Sequence, residues 1–233
     1  MVNADIETNA RKEVAKQMTY EPKLAAALTG ATMRQLAYWR RPRGESKPLL
    51  QPEISEERPI LYSFRDLIAL RTFVSLREQF SLQKIRKALN KLRDSGEMDH
   101  LSRYTLVGDA STIYLVEHDR GTDLLRRPGQ QVIVEVVDIL KPYYHQGRQV
   151  PDLLRPRPHM IIDTGIRGGE PVIEGTRVPF EDVAGLMRDG VPSAEIRDYY
   201  PSVSADAAND ALDFAEYVDS YTEASRPLLH AVA

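Results

Sequence analysis

Within residues 32–43 stand Thr32, Arg34, Gln35, Tyr38, Arg40, Arg41 and Arg43. Hydroxyl, amide and guanidinium groups at this density are donors for phosphate oxygens and for base edges in a major groove. Such donors need a helix to aim them, and residues 20–43, YEPKLAAALTGATMRQLAYWRRPR, predict one. Pro22 stands near a helix start, and Leu24, Ala25, Ala27 and Leu28 follow at the spacing of a short amphipathic helix. Gly30 can take positive φ and turn the chain, and the Thr32 hydroxyl can cap a second helix from Met33 to about residue 40. Met33, Leu36 and Ala37 then face inward, while Arg34, Gln35, Tyr38, Arg40 and Arg41 face outward. A solvated helix face in an ordinary α-domain would read the same way, so the charge distribution has to decide.

The chain carries a formal net charge of -3, but the charge is polarised. Residues 20–93 hold 15 Lys/Arg against 7 Asp/Glu, whereas residues 160–233 hold 5 against 14. Lys and Arg bind nucleic acid by displacing condensed counterions, so the basic end is the nucleic-acid end. The acidic end would be repelled by DNA and is expected to meet a protein.

With 233 residues and no Cys, the chain can build real cores, but disulfides, thiolate metal sites and Cys nucleophiles are excluded. No run approaches 18 apolar residues and the N-terminus lacks the apolar core of a signal peptide, so a cytoplasmic protein without membrane contact is expected. His100, His118, His145, His159 and His230 are scattered, with none four residues from another ligand on a helix, so no metal site is expected. No cofactor loop, paired-carboxylate setting or Ser/His/Asp order stands out. Neither an enzyme nor a cofactor is expected.

In order, residues 1–19 read as a flexible arm and residues 20–95 as the DNA-binding domain. Pro42, Pro48, Pro52 and Pro59 forbid a helix over 42–60. Extended pieces at 49–50 and 60–62 around ISEER read as a wing that lays Arg58 on DNA, with a mobile Pro-rich loop as the alternative. Ser63 with Asp66 caps a helix to about residue 78, and Ser81 opens another that stops at Asp94-Ser95-Gly96. Residues 96–140 read as a small connecting or dimerising β-region, with LSRYTLVG and STIYLVE around a turn and QVIVEVVDIL apolar on both faces. Residues 141–159, rich in Pro and Arg, read as a linker. Residues 160–220 read as Gly-rich turns and then three helices, over 180–188, from Ser193 to before Pro201, and from a Ser204 cap with a stripe of Ala208, Ala211, Leu212, Ala215 and Val218. Residues 221–233 are a tail.

The run LTGATMRQLAYW, the wing-like segment and LYSFRDLIALRTFVSLREQFSLQKIRKALNKL resemble the winged helix-turn-helix of MerR-type regulators over about residues 20–95. The resemblance implies DNA contacts at Thr32, Arg34, Gln35 and Tyr38, with Arg40, Arg41 and Arg43 nearby. The sequence departs from that family at Ala37 and Ile60, where arginines are usual, and in lacking its long dimerisation helix. The stretch IRGGEPVIEGTRVPFEDVAGLMRDGVPSAEIRDYYPSVS is similar to the small domain of VapB-like antitoxins. That resemblance implies a type II antitoxin that neutralises a PIN-like ribonuclease toxin and represses its own promoter; a homodimer is expected because operators read by such DNA-binding domains are usually inverted repeats. It also implies an arginine among the toxin's metal-binding carboxylates. Arg167 and Arg177 come first as candidates, then Arg155 and Arg157. For Arg177, an ion pair with Glu174, Glu181 or Asp182 is the competing role. The fold expected is α+β, with a MerR-like winged helix-turn-helix, a middle sheet and a trihelical, helix-turn-helix-like C-terminal domain. A ligand-responsive regulator with no toxin partner is the alternative function.

Overall fold

Among the described residues, helices of up to 19 residues and three small antiparallel sheets make up an α+β architecture. The computed structural model describes residues 19–42, 48–94, 105–108, 113–117, 120–124, 131–133 and 138–223. The expected arm apart from Thr19, Arg43, the turn at 109–110, residues 134–137 and the tail beyond 223 lie outside the described residues.

Helix α1 (Pro22–Thr29) begins with Pro at its first position and ends at Gly30 in the left-handed region, φ 74°. A β-carbon on Gly30 would also stand 2.8 Å from a Val150 methyl, so two constraints select glycine here. Helix α2 (Met33–Trp39) follows at once. Residues 25–29 of α1 are all buried, which means packing on more than one side. Helix α3 (Phe64–Gln79) covers one side. It opens with the expected capping box, Ser63 accepting from the Asp66 amide and Asp66 from that of Ser63. Helix α4 (Leu82–Asp94) buries Ile85, Ala88 and Leu89.

Strands β1 (Thr105–Gly108), β2 (Ile113–Glu117), β3 (Arg120–Asp123) and β4 (Gln131–Ile133) form an antiparallel meander in sequence order, with β1 against α3. Its register pairs Leu106 with Leu115. The segment read as a linker carries β5 (Tyr143–His145) and β6 (Arg148–Val150). Positive φ at both Gln146 and Gly147 joins them in a tight turn. Strands β7 (Met160–Ile161) and β8 (Val172–Ile173) make a second ribbon. Helices α5 (Phe180–Arg188), α6 (Ile196–Tyr199) and α7 (Ala205–Glu223) complete the C-terminal part, with Phe180 edge-on to Phe214 at 4.9 Å.

The two ends of the chain share a core, because α7 packs on α1 as well as on α5. The Tyr20 hydroxyl donates to the Gly169 carbonyl at 2.7 Å, an approach a β-carbon on Gly169 would block at 2.6 Å. The Tyr217 hydroxyl lies 3.1 Å from both the Ala27 and Gln149 carbonyls. The buried Arg71 guanidinium donates to the carbonyls of Leu28 at 2.7 Å, Pro151 at 3.0 Å, Lys141 at 2.6 Å and Leu140 at 3.4 Å, and also to that of Ile139. Tyr143 faces it with its ring at 4.9 Å and donates its hydroxyl to the Thr29 carbonyl at 2.6 Å. Burial pulls the Arg71 pKa below its usual value, opposed by Tyr143 and Asp152.

Replacing Arg71 by Met keeps the volume but strands several buried carbonyls. Stability should fall by about 3 to 5 kcal/mol. Urea unfolding of the full chain measures it, and a loss under about 1 kcal/mol would show that water replaces the guanidinium.

Candidate nucleic-acid interface

Helix α2 is fixed at both ends. Thr32 accepts from the Gln35 amide at 3.1 Å, and the Gln35 side-chain oxygen accepts from the Thr32 amide at 2.7 Å. Of the residues expected to touch DNA, these two therefore position the helix. At the other end the amides of Leu49 and Leu50 donate to the Trp39 carbonyl at 2.9 and 3.3 Å. The expected extended piece at 49–50 thus closes α2 instead of pairing with 60–62. Trp39, only 2% exposed, anchors the helix against Phe73 with ring centroids 5.7 Å apart. Tyr38 is half-buried and packs on the same core.

Residues 55–61 form a hairpin closed by Ser55 and Leu61, whose amides and carbonyls exchange bonds of 3.2 and 3.1 Å. Tyr62 pairs with Tyr20 in the same way. Asp66, fully buried, accepts from the Glu53 and Ser63 amides and ties the hairpin's base to α3. Arg40 faces the Tyr62 hydroxyl across the C-terminal end of α2. Burial pushes that hydroxyl up to about 12 against the pull of Arg40.

Arg34, Arg41 and Arg58 are exposed. Among the described residues none of their side chains forms a hydrogen bond or ion pair. Arg65 beside them is spent on Glu53 at 2.9 Å, and Arg77 on the Phe80 carbonyl at 2.6 Å. The expected cation set thus divides into three open guanidiniums, Arg40 turned to Tyr62, and Arg43 outside the described residues.

The four arginines expected on the toxin side fall in three places. Arg155 and Arg157 line a groove of about 720 Å³. Arg155 is held by Glu174 at 2.5 Å, which depresses the glutamate pKa, and Arg157 by Asp213. Arg167 pairs with Glu170 at 2.6 Å and lines a cleft of about 550 Å³ between α1 and the C-terminal helices. Arg177 is exposed, and among the described residues it carries no ion pair with Glu174, Glu181 or Asp182.

In the cleft Asp219 accepts from both Lys23 and Arg188, the Lys23 bond above all holding its pKa below the usual value. Glu181 is raised by partial burial and by Glu170 and Glu21. His145 and His159 bond Glu78 at 2.9 Å and Asp210 at 2.7 Å. Among the described residues no three His, Cys, Asp or Glu side chains are grouped to hold a metal, and no helix is long and apolar enough to cross a membrane.

Residues 161–215 match a family of unknown function, DUF433. The match takes in β8, α5, α6, most of α7 and the end of the β7 ribbon strand, a small C-terminal domain. No curated protein matches the chain. Among solved structures, the crystal structure of Rv2018 from Mycobacterium tuberculosis is similar at 17% identity, with a TM-score of 0.46, covering 83% of this chain and 97% of that one.

Sequence reasoning missed Arg71, Tyr143 and Tyr217, whose partners lie 43 to 190 residues away. Trp39 had a signal, because it lies three residues after Leu36 on the inward stripe.

Thr32→Ala removes one half of the α2 capping box and should cost about 1 kcal/mol in urea unfolding. Asp219, with its folded pKa depressed, contributes stability above its unfolded value near pH 4 that is lost as pH falls below it. Asp219→Asn should flatten that acid limb of a stability-versus-pH curve. An unchanged limb would assign the acid loss to other carboxylates.

Proposed function

We propose that this chain is a DNA-binding repressor of the antitoxin kind. Its MerR-like winged helix-turn-helix holds the promoter of its own operon, and its VapB-like C-terminal domain holds a PIN-like ribonuclease toxin. The observation that carries the DNA half is the set of three exposed guanidiniums, without a partner among the described residues, on and around α2 and on the 55–61 hairpin. Two arginines near them in sequence are held by their own chain, Arg65 by Glu53 and Arg77 by the Phe80 carbonyl. Arginines left open beside a helix that is capped, anchored and closed at its C-terminus suit an anionic duplex. In this reading Arg34, in the first turn of α2, reads a base edge, and Arg41 and Arg58 hold phosphates. The hairpin acts as the wing. Inverted repeats are the usual operators of such domains, so a homodimer belongs to the proposal. The toxin half rests on the resemblance over residues 160–220 and on the acidic charge of that end, which turns DNA away.

A second reading has its own observation. The cleft between α1 and the C-terminal helices brings Lys23, Arg167 and Arg188 together with Glu21, Glu170, Glu181 and Asp219. A small ligand entering there would touch both ends of the chain, as a ligand-responsive regulator requires.

Co-expression of the full chain with the product of the neighbouring gene separates the two. A PIN-like nuclease retained by this chain, with its ribonuclease activity suppressed, supports the antitoxin. A neighbour of another class that is not retained, with operator affinity changed by a small molecule, overturns it in favour of the ligand-responsive regulator. On the DNA side, Arg34→Ala should weaken operator binding by about 1 to 3 kcal/mol and relax its sequence preference. Arg41→Ala should weaken all sequences alike and reduce the salt slope by about one. Electrophoretic mobility shifts across salt concentrations measure both, and unchanged affinity in both variants would remove α2 from the interface.

A further inference from the structure

The β5–β6 ribbon, the strap at 151–158 and the outer face of α7 enclose a groove of about 720 Å³. Its apolar surface comes from the rings of Pro142, Pro151, Pro156 and Pro158 together with Tyr217. Proline rings are rigid and give up little entropy when covered, so such a wall favours apolar side chains of a docked chain.

Three guanidiniums stand around this wall, each held in place by neighbours in its own chain. Arg148 donates one terminal nitrogen to Ser220 and lies 5.1 Å over the Tyr221 ring. Arg155 gives one terminal nitrogen to Glu174. Arg157 gives Nε to Asp213 and one terminal nitrogen to the Pro156 carbonyl, and it lies over the Phe214 and Tyr217 rings at 5.4 and 5.2 Å. A guanidinium carries five N–H donors in a fixed fork, so all three are oriented and retain donors to spare. The one carboxylate in the lining, Asp152, is turned to the backbone amides of Leu154 and Arg155 at 2.8 and 3.0 Å and to Lys141. Three guanidiniums against one carboxylate make the groove's lining positive as well as apolar, with Glu174 and Asp213 at its rim pairing Arg155 and Arg157.

We propose that this groove docks a short extended segment of the partner protein in which acidic and apolar residues alternate. Its carboxylates meet Arg148 and Arg155, and its apolar side chains lie on the proline wall. Charge complementarity names the occupant. A polyanionic nucleic acid would also find the arginines, but its continuous run of phosphates would meet Glu174 and Asp213 beside them, where a short peptide places only the carboxylates that the free donors match. The inference rests on the protein-partner half of the function proposed above and names its docking surface.

The test uses the full chain, panned against a phage-displayed library of random dodecapeptides. Enriched peptides should combine Asp or Glu with apolar residues. Arg148→Ser and Arg155→Ser should each weaken their binding at least tenfold, while the exposed Arg197→Ser leaves it unchanged and thermal melts show all three variants folded. Enrichment of non-acidic peptides, or acidic binders indifferent to both arginines, overturns the proposal. So does a fluorescent oligothymidylate that binds through the same two arginines more tightly than any peptide. The two readings fail separately: a nuclease retained undiminished by both variants sinks the groove alone, and groove-dependent peptide binding with no nuclease retained sinks the antitoxin alone.

Discussion

The C-terminal carbonyls of α1 are satisfied by side chains from far along the chain. A helix end leaves carbonyls without intrahelical partners, and here those of Ala27, Leu28 and Thr29 accept from Tyr217, Arg71 and Tyr143 in turn. Arg71 is the member the others depend on. It places a positive charge at the negative end of α1 and continues to the backbone at 139–141 and Pro151. A buried charge is tolerable only when its donors are matched, and here backbone carbonyls match them without any carboxylate. The chain crosses between its halves where these carbonyls stand, so the crossing is fixed by hydrogen bonds that neither half could make alone.

Alanine suits α1 for the same reason. Ala25, Ala26 and Ala27 have no measurable exposure, because α3 lies on one side and α7 on another. Larger side chains would push those helices apart, whereas three alanines allow close approach on every face. The turn at Gly30 then sits under Val150 and Tyr143, so the angle between α1 and α2 is held by the β5–β6 ribbon as well as by local backbone preference.

Local chemistry was legible in the sequence, and long-range chemistry was not. The Thr32 and Ser63 capping boxes, the Gly30 turn and the bounds of Phe180–Arg188 follow from rules that act within four residues, and the structure has them. The β5–β6 ribbon is hidden in the sequence because its turn is Gln146-Gly147. Glutamine gives a far weaker hairpin signal than asparagine, and the surrounding prolines read as a strap. Arg71 lies within an apolar helical stretch, where a lone arginine normally reaches solvent. Nothing near it in sequence announces five carbonyls. Among the candidate contacts, spacing put Thr32 and Gln35 on the right helix but could not show that they cap it. The openness of Arg34, Arg41 and Arg58 depends on which carboxylates fold nearby, and spacing carries no such information.

A helix with two covers couples whatever binds at either end. The polarity of charge along the sequence invites a picture of two independent modules, a basic one for nucleic acid and an acidic one for protein. Tyr20 on Gly169, Lys23 on Asp219 and Tyr217 on Ala27 argue against independence, because each bond joins the first helix region to the last domain. Any partner that binds the folded form at one end then stabilises the fold at the other by the same free energy, through mass action alone. A substitution in α7 that loosens its seat on α1 should accordingly reduce the population with α2 correctly aimed, without any contact to DNA. The acidic domain thus bears on the set of α2 through the packing of α1, and under the proposed function it would act on DNA binding by that route although its charge repels DNA.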